Sequence, residues 1–89
     1  MERVRKHFLF YGEVQGVGFR YTAYHAAQRS GITGWVRNLY DGSVEAEAEG
    51  TEADIARMIQ DIKNARFVYI ERMEVSDIPL VGDLSFHIR

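Results

Sequence analysis

The sequence predicts an α+β sandwich of order β-α-β-β-α-β: an antiparallel sheet with two helices on one face and a short extra C-terminal strand. Three observations carry that expectation. Ile55, Met58, Ile59 and Ile62 fall at i, i+3, i+4 and i+7, the period of a helix with one buried stripe. Residues 44–49 alternate Val or Ala with Glu, the period of a strand with one buried face. The chain has 89 residues, 46% of them hydrophobic, and one proline; that is enough for one small core and not for two.

Each element can be justified in turn. A first strand is expected over residues 4–13, where Phe8, Phe10 and Gly12 alternate with Leu9 and Tyr11. It is apolar on both faces near its end, as strands inside a sheet are. A glycine-containing turn over 14–20 leads into a helix over about 20–30 holding Tyr21, Ala23, Tyr24, Ala26 and Ala27, and closed by Ser30-Gly31. Strands follow over 34–40 and 43–50, joined around Asp41-Gly42, a hairpin signal. In the second of them Val44, Ala46 and Ala48 turn to the core. Glu45, Glu47 and Glu49 turn to water, and this ladder reads as a solvated face rather than a cation site. Thr51 is a suitable N-cap, with Thr51-Glu52-Ala53-Asp54 as a capping-box variant. The helix it opens ends near Asn64. A strand over about 67–76 and a short one over 84–89 complete the chain. Right-handed crossovers then put both helices on the same side of the sheet. The order is that of the split-βαβ, ferredoxin-like arrangement.

Composition narrows the function. Eleven Lys and Arg against 13 Asp and Glu leave a net charge of −2, unlike the basic surface of a general nucleic-acid binder. There is no cysteine, which removes disulfides, thiolate metal sites and a thiol nucleophile. The charged start Met1-Glu2-Arg3-Val4-Arg5-Lys6 lacks the apolar core of a signal peptide. No apolar run approaches the ~20 residues that span a bilayer. A cytoplasmic protein, without membrane or nucleic-acid partner, is the expectation.

The chemistry concentrates in Gly12-Glu13-Val14-Gln15-Gly16-Val17-Gly18-Phe19-Arg20. Gly16 and Gly18 allow positive φ angles and a close approach of backbone to ligand. Successive N–H groups in such a turn can form an anion cradle, helped by the helix dipole. Arg20 adds a planar fork that matches a phosphate bidentately. A nucleotide P-loop needs Lys and Ser or Thr after its last glycine; Phe19 and Arg20 stand there. A dinucleotide fingerprint needs a third small residue; Tyr21 stands there. From these residues alone, an anion cradle and a tight strand-to-helix turn with a surface arginine are both open. Elsewhere Ser30, Ser43, Ser76 and Ser85 have no neighbouring base, and His7, His25 and His87 lack metal spacing. His25 follows the cradle on the helix and could sit near it. Asn38, by itself, is a strand-end turn residue.

Phe10 to Arg20 reads hydrophobic-x-Gly-x-Val-Gln-Gly-Val-Gly-Phe-Arg. Gly34 to Val44 reads Gly-Trp-Val-Arg-Asn-x-x-x-Gly-x-Val, with a trailing glycine at Gly50. Together, in this order and spacing, the two segments resemble the signatures of the acylphosphatase family. The resemblance implies a single acylphosphatase-like domain over residues 1–89, with the ferredoxin-like fold and no metal or cofactor. It implies hydrolysis of an acyl phosphate by a monomer, with inorganic phosphate as product and inhibitor. Arg20 falls on the family's catalytic, phosphate-binding arginine and Asn38 on its catalytic asparagine. Gln15, Gly16, Val17, Gly18 and Phe19 fall on the loop whose backbone N–H groups bind the phosphoryl oxygens. Trp35, Phe19 and Thr33 read as core or loop support. The match thins after Gly50: Asn64-Ala65-Arg66-Phe67 stands where many members carry a Gly/Pro-rich loop. Two other readings are a non-catalytic ferredoxin-like module that binds a small anion or a protein, and an RNA-binding sheet with bases stacked on strand aromatics.

Overall fold

The computed structural model describes residues 2–89. The elements are β1 (Arg3–Glu13), α1 (Phe19–Ser30), β2 (Thr33–Asn38), β3 (Val44–Thr51), α2 (Glu52–Lys63), β4 (Tyr69–Ile78) and β5 (Phe86–Ile88). They form a ferredoxin-like α+β fold with one sheet in the order β4-β1-β3-β2-β5. β1 lies inside the sheet, as its two apolar faces suggested. The four longer strands pair antiparallel. β5 departs from that pattern and runs parallel to β2, with Phe86 beside Gly34. The chain leaves β4 at one edge, crosses the sheet, and returns along the other edge.

One face of the sheet meets the helices. Phe8 and Phe10 of β1, Val36 of β2 and Val44, Ala46 and Ala48 of β3 share a buried cluster with Ala23, Ala26 and Ala27 of α1. The stripe Ile55, Met58, Ile59 and Ile62 completes it from α2. α1 thus contributes small side chains to this core and α2 larger aliphatic ones. Helix ends form as their residues require. Thr51 Oγ1 accepts from the Asp54 N–H at 3.1 Å, and Gly31 closes α1 in the left-handed conformation (φ 67°), its N–H and the next one meeting the last carbonyls.

Strand ends shift by a few residues. β2 stops at Asn38 because residues 39–43 close a wider turn than Asp41-Gly42 alone. The Leu39 N–H reaches the Ser43 carbonyl at 2.9 Å, and Asp41 Oδ1 accepts from the Ser43 N–H at 3.0 Å. β4 begins at Tyr69, since residues 64–68 continue α2 as short turns.

The acidic ladder of β3 corrects the expectation of a wet face. Glu49 is 2% exposed. Arg5, equally buried, donates from Nε to Glu47 and from Nη1 to Glu49 at 2.8 and 3.0 Å, and its fork also reaches Asp83. Glu49 additionally accepts the Val81 and Gly82 N–H groups. The segment between β4 and β5 therefore passes over this face and is tied to it by charge. Farther along, Glu45 sits between His7 and Arg37, each at 2.7 Å. Trp35 is buried as expected, 8% exposed, but on this second face and outside the cluster under the helices, flanked by the guanidinium groups of Arg89 and Arg37 at 4.3 and 5.4 Å from its ring centre. Among the described residues no helix is long and apolar enough to cross a membrane.

Candidate active site

The loop between β1 and α1 is shaped at both ends by packing. Val14 is fully buried, which pins the loop's entry to the core. Phe19 is buried against Phe10, with ring centres 5.0 Å apart, which pins its exit and fixes the first turn of α1. Between these anchors Gly16 and Gly18 take φ of 73° and 77°. An L side chain disfavours that region, so the loop needs glycine at both positions. Gly18 is the N-cap of α1. It provides no side-chain cap, and α1 has no acidic residue in its first turn. The contrast with α2 is direct, where Thr51 caps and Glu52 and Asp54 occupy the first turn. The positive end of α1 is thus left for an external acceptor.

A cavity of about 180 Å³ lies over this helix end. Its lining brings together residues from both sequence motifs: Gly16, Gly18, Phe19 and Arg20 from the first, Asn38 from the second. Asn38 reaches it because β2 ends there, paired with Val44 beside the core. Arg20 is half-buried and makes no ion pair among the described residues. Among the described residues no carboxylate lines the cavity, and Arg20 brings a positive charge to it. The size suits a phosphoryl group with part of its substituent, being smaller than a drug-sized pocket.

Two residues of the expected loop do not line the cavity. Val17 packs against the core. Gln15 turns its side chain toward the β2–β3 turn, donating to the carbonyls of Leu39 and Ser43 at 2.7 and 2.8 Å. Val14 and Tyr21 also line the cavity, beyond the expected site residues; their places flanking the loop and Arg20 are the sequence signal for them. His25 is exposed, its ring edge-on to Tyr24 at 5.4 Å, and lies outside the cavity lining.

A family model described as Acylphosphatase matches residues 6–88. The chain is 41% identical over 83 residues to an acylphosphatase of Bifidobacterium longum, covering 92% of this chain and 86% of that protein. It is 39% identical over 90 residues to one from Moorella thermoacetica, covering 100% and 97%. The fold superposes on the crystal structure of acylphosphatase from Bacillus subtilis with a TM-score of 0.91 at 34% identity, over 97% of this chain and 98% of that one.

Proposed function

The chain belongs to the acylphosphatase family, and from that premise we propose that it hydrolyses the carboxyl–phosphate bond of acyl phosphates to a carboxylate and inorganic phosphate. One observation carries the mechanism: Arg20, Asn38 and the two positive-φ glycines line the same small, acid-free cavity over an uncapped helix end.

The reaction suits so few groups. An acyl phosphate is a mixed anhydride, and its carboxylate leaves without a strong general acid. Phosphoryl transfer then requires positioning and charge stabilisation more than proton chemistry. In our reading the loop amides and the first turn of α1 hold the non-bridging oxygens. Arg20 spans two of them and strengthens its hold as charge shifts in the transition state. The Asn38 carboxamide orients the attacking water in line with the scissile bond, and the water's proton passes to a phosphoryl oxygen. Inorganic phosphate, the product, retains the tetrahedral oxygens that the cradle reads and should inhibit competitively.

The direct test is phosphate release from a small acyl phosphate compared with a phosphate monoester of similar size. Rapid release from the acyl phosphate and little from the monoester is expected, because an alkoxide needs a strong general acid to leave and no carboxylic acid or histidine is among the described residues lining the cavity. Equal rates, or none from the acyl phosphate, would overturn the assignment.

A further inference from the structure

The two halves of the site come from segments far apart in the chain. The sheet ladder aligns Phe10 of β1 with Asn38 of β2 across Val44 of β3, but that row stops short of the loop that carries the cradle. The cradle lies beyond the end of β1, and Asn38 is the last residue of β2. β1 and β2 are not neighbours, since β3 lies between them. A small change in the trajectory of either loop would alter the distance from phosphoryl group to water. One side chain spans that gap. Gln15, immediately before Gly16, donates both amide hydrogens across the site, one to the Leu39 carbonyl at 2.7 Å and one to the Ser43 carbonyl at 2.8 Å.

These acceptors are the two ends of the turn that follows Asn38. The Ser43 carbonyl also accepts the Leu39 N–H at 2.9 Å, and the Leu39 carbonyl accepts the Gly42 N–H at 3.3 Å. Asp41 further stiffens the turn through its bond from the Ser43 N–H. Gln15 therefore grips a closed, rigid turn at its base, one residue from Asn38. A carboxamide with two donors is the chemical requirement; a carboxylate there would face two carbonyl oxygens with no hydrogen to offer.

The geometry points to Gln15 as a positioning residue that sets the Asn38 carboxamide against the phosphate cradle. Its side chain does not line the cavity, so it acts through the Leu39–Ser43 turn and not by contact with substrate. The inference rests on the functional reading above and goes beyond it by assigning the element that holds its two halves in register.

The experiment is a double-mutant cycle on Gln15→Ala and Asn38→Ala, with acetyl phosphate turnover and inhibition by inorganic phosphate as readouts. Gln15→Ala is expected to lower kcat by up to about 10²-fold, as misplacing a catalytic group by an ångström does. The phosphate inhibition constant should change less than about threefold, because Arg20 and the loop amides remain. The double variant should be no slower than Asn38→Ala alone, since a misplaced residue that is already absent cannot be misplaced further. Gln15→Glu, nearly isosteric, should be at least as slow as Gln15→Ala, which separates hydrogen bonding from packing and still reports if the alanine variant unfolds. Unchanged kcat in a folded variant, fully additive losses, or phosphate affinity falling as far as kcat would each overturn the inference. Wild-type turnover with normal Gln15 variants would fail it alone; absence of wild-type turnover would fail the functional reading and the inference with it.

Discussion

In the proposed mechanism Arg20 meets an anion, and its surroundings support that role. Its neighbour Phe19 is buried in the core, which anchors the backbone that carries the guanidinium, and among the described residues no carboxylate pairs with the fork. Arg20→Ala should therefore reduce turnover by about 10³–10⁵-fold, the range that charge-stabilising arginines supply in phosphoryl transfer, with the circular dichroism spectrum unchanged. Arg20→Lys should recover little, because an ammonium cannot reproduce the planar fork. Asn38→Ala should behave differently. An amide that orients water matters mainly in the transition state, so kcat should fall much more than KM rises. Protection of this variant by phosphate against thermal unfolding should persist; steady-state kinetics and a phosphate titration of Tm check both halves. At this scale Gly16, Gly18 and Arg20 were legible in the sequence as a candidate cradle, whereas Asn38 by itself reads as a strand-end turn residue and is singled out only by the family resemblance. The bridging role of the Gln15 side chain was not legible, since its acceptors are backbone carbonyls that sequence does not mark.

At the scale of elements, the end of β1 decides where the cradle begins. The pairing of β1 with β4 slips between Tyr11 and Gly12, a bulge that bends the strand just before the loop. Gly12 takes φ 131°, and a Cβ there would overlap the carbonyl oxygen of Tyr69 and crowd the Glu71 nitrogen at 2.7 Å. Neither backbone group can yield without breaking the β1–β4 ladder. Gly12→Ala should thus destabilise the fold by more than about 1–3 kcal/mol, measured by urea denaturation. A change within ±0.5 kcal/mol, as at an unconstrained surface site, would show that the bulge is dispensable. The sequence marked this glycine only as part of a motif; its reason is the proximity of β4, some sixty residues later in the chain.

Across the whole molecule, the face opposite the helices holds a charge network that closes the fold. Arg5 joins β1 to β3 and to Asp83 in the segment that leads to β5. Burial opposes its charge, but Asp83, Glu47 and Glu49 outweigh that and hold it firmly protonated. Burial likewise opposes ionisation of Glu49, while the Val81 N–H, Arg5 and the Gly82 N–H pull it below the usual glutamate range. Asp83 is lowered too, burial again being overcome chiefly by Arg5. A carboxylate with a depressed folded-state pKa contributes stability that is present above its unfolded value and is lost as pH falls through the folded one. Tm should therefore hold near neutrality and fall below about pH 4, where unfolded carboxylates take up protons. Glu49→Gln should be less stable at pH 7 and show a shallower acid decline. Arg5→Ala should cost about 3–5 kcal/mol, because it strands the buried Glu49 and the half-buried Glu47 and Asp83 without their partner. Melting curves across pH for the three proteins test these outcomes, and parallel curves would contradict them.

Local patterns sufficed for the helices, the antiparallel strands and the glycine loop with Arg20, because periodicity, caps and glycine loops act over a few neighbours. Asp54 on Thr51, the stripe from Ile55 to Ile62 and the Gly31 cap all form where nearby residues dictate. Tertiary structure alone decided the rest. The sequence predicts a solvated Glu49 because its alternation with Ala48 and Gly50 says which face it occupies, not what crosses that face. The covering segment comes from residues 79–85, and the counter-charge from Arg5 on another strand. The parallel seat of β5 beside β2, the two arginines around Trp35 and the Gln15 bridge have the same character. Each depends on contacts between distant parts of the chain, whose energy exists only once the sheet has brought them together.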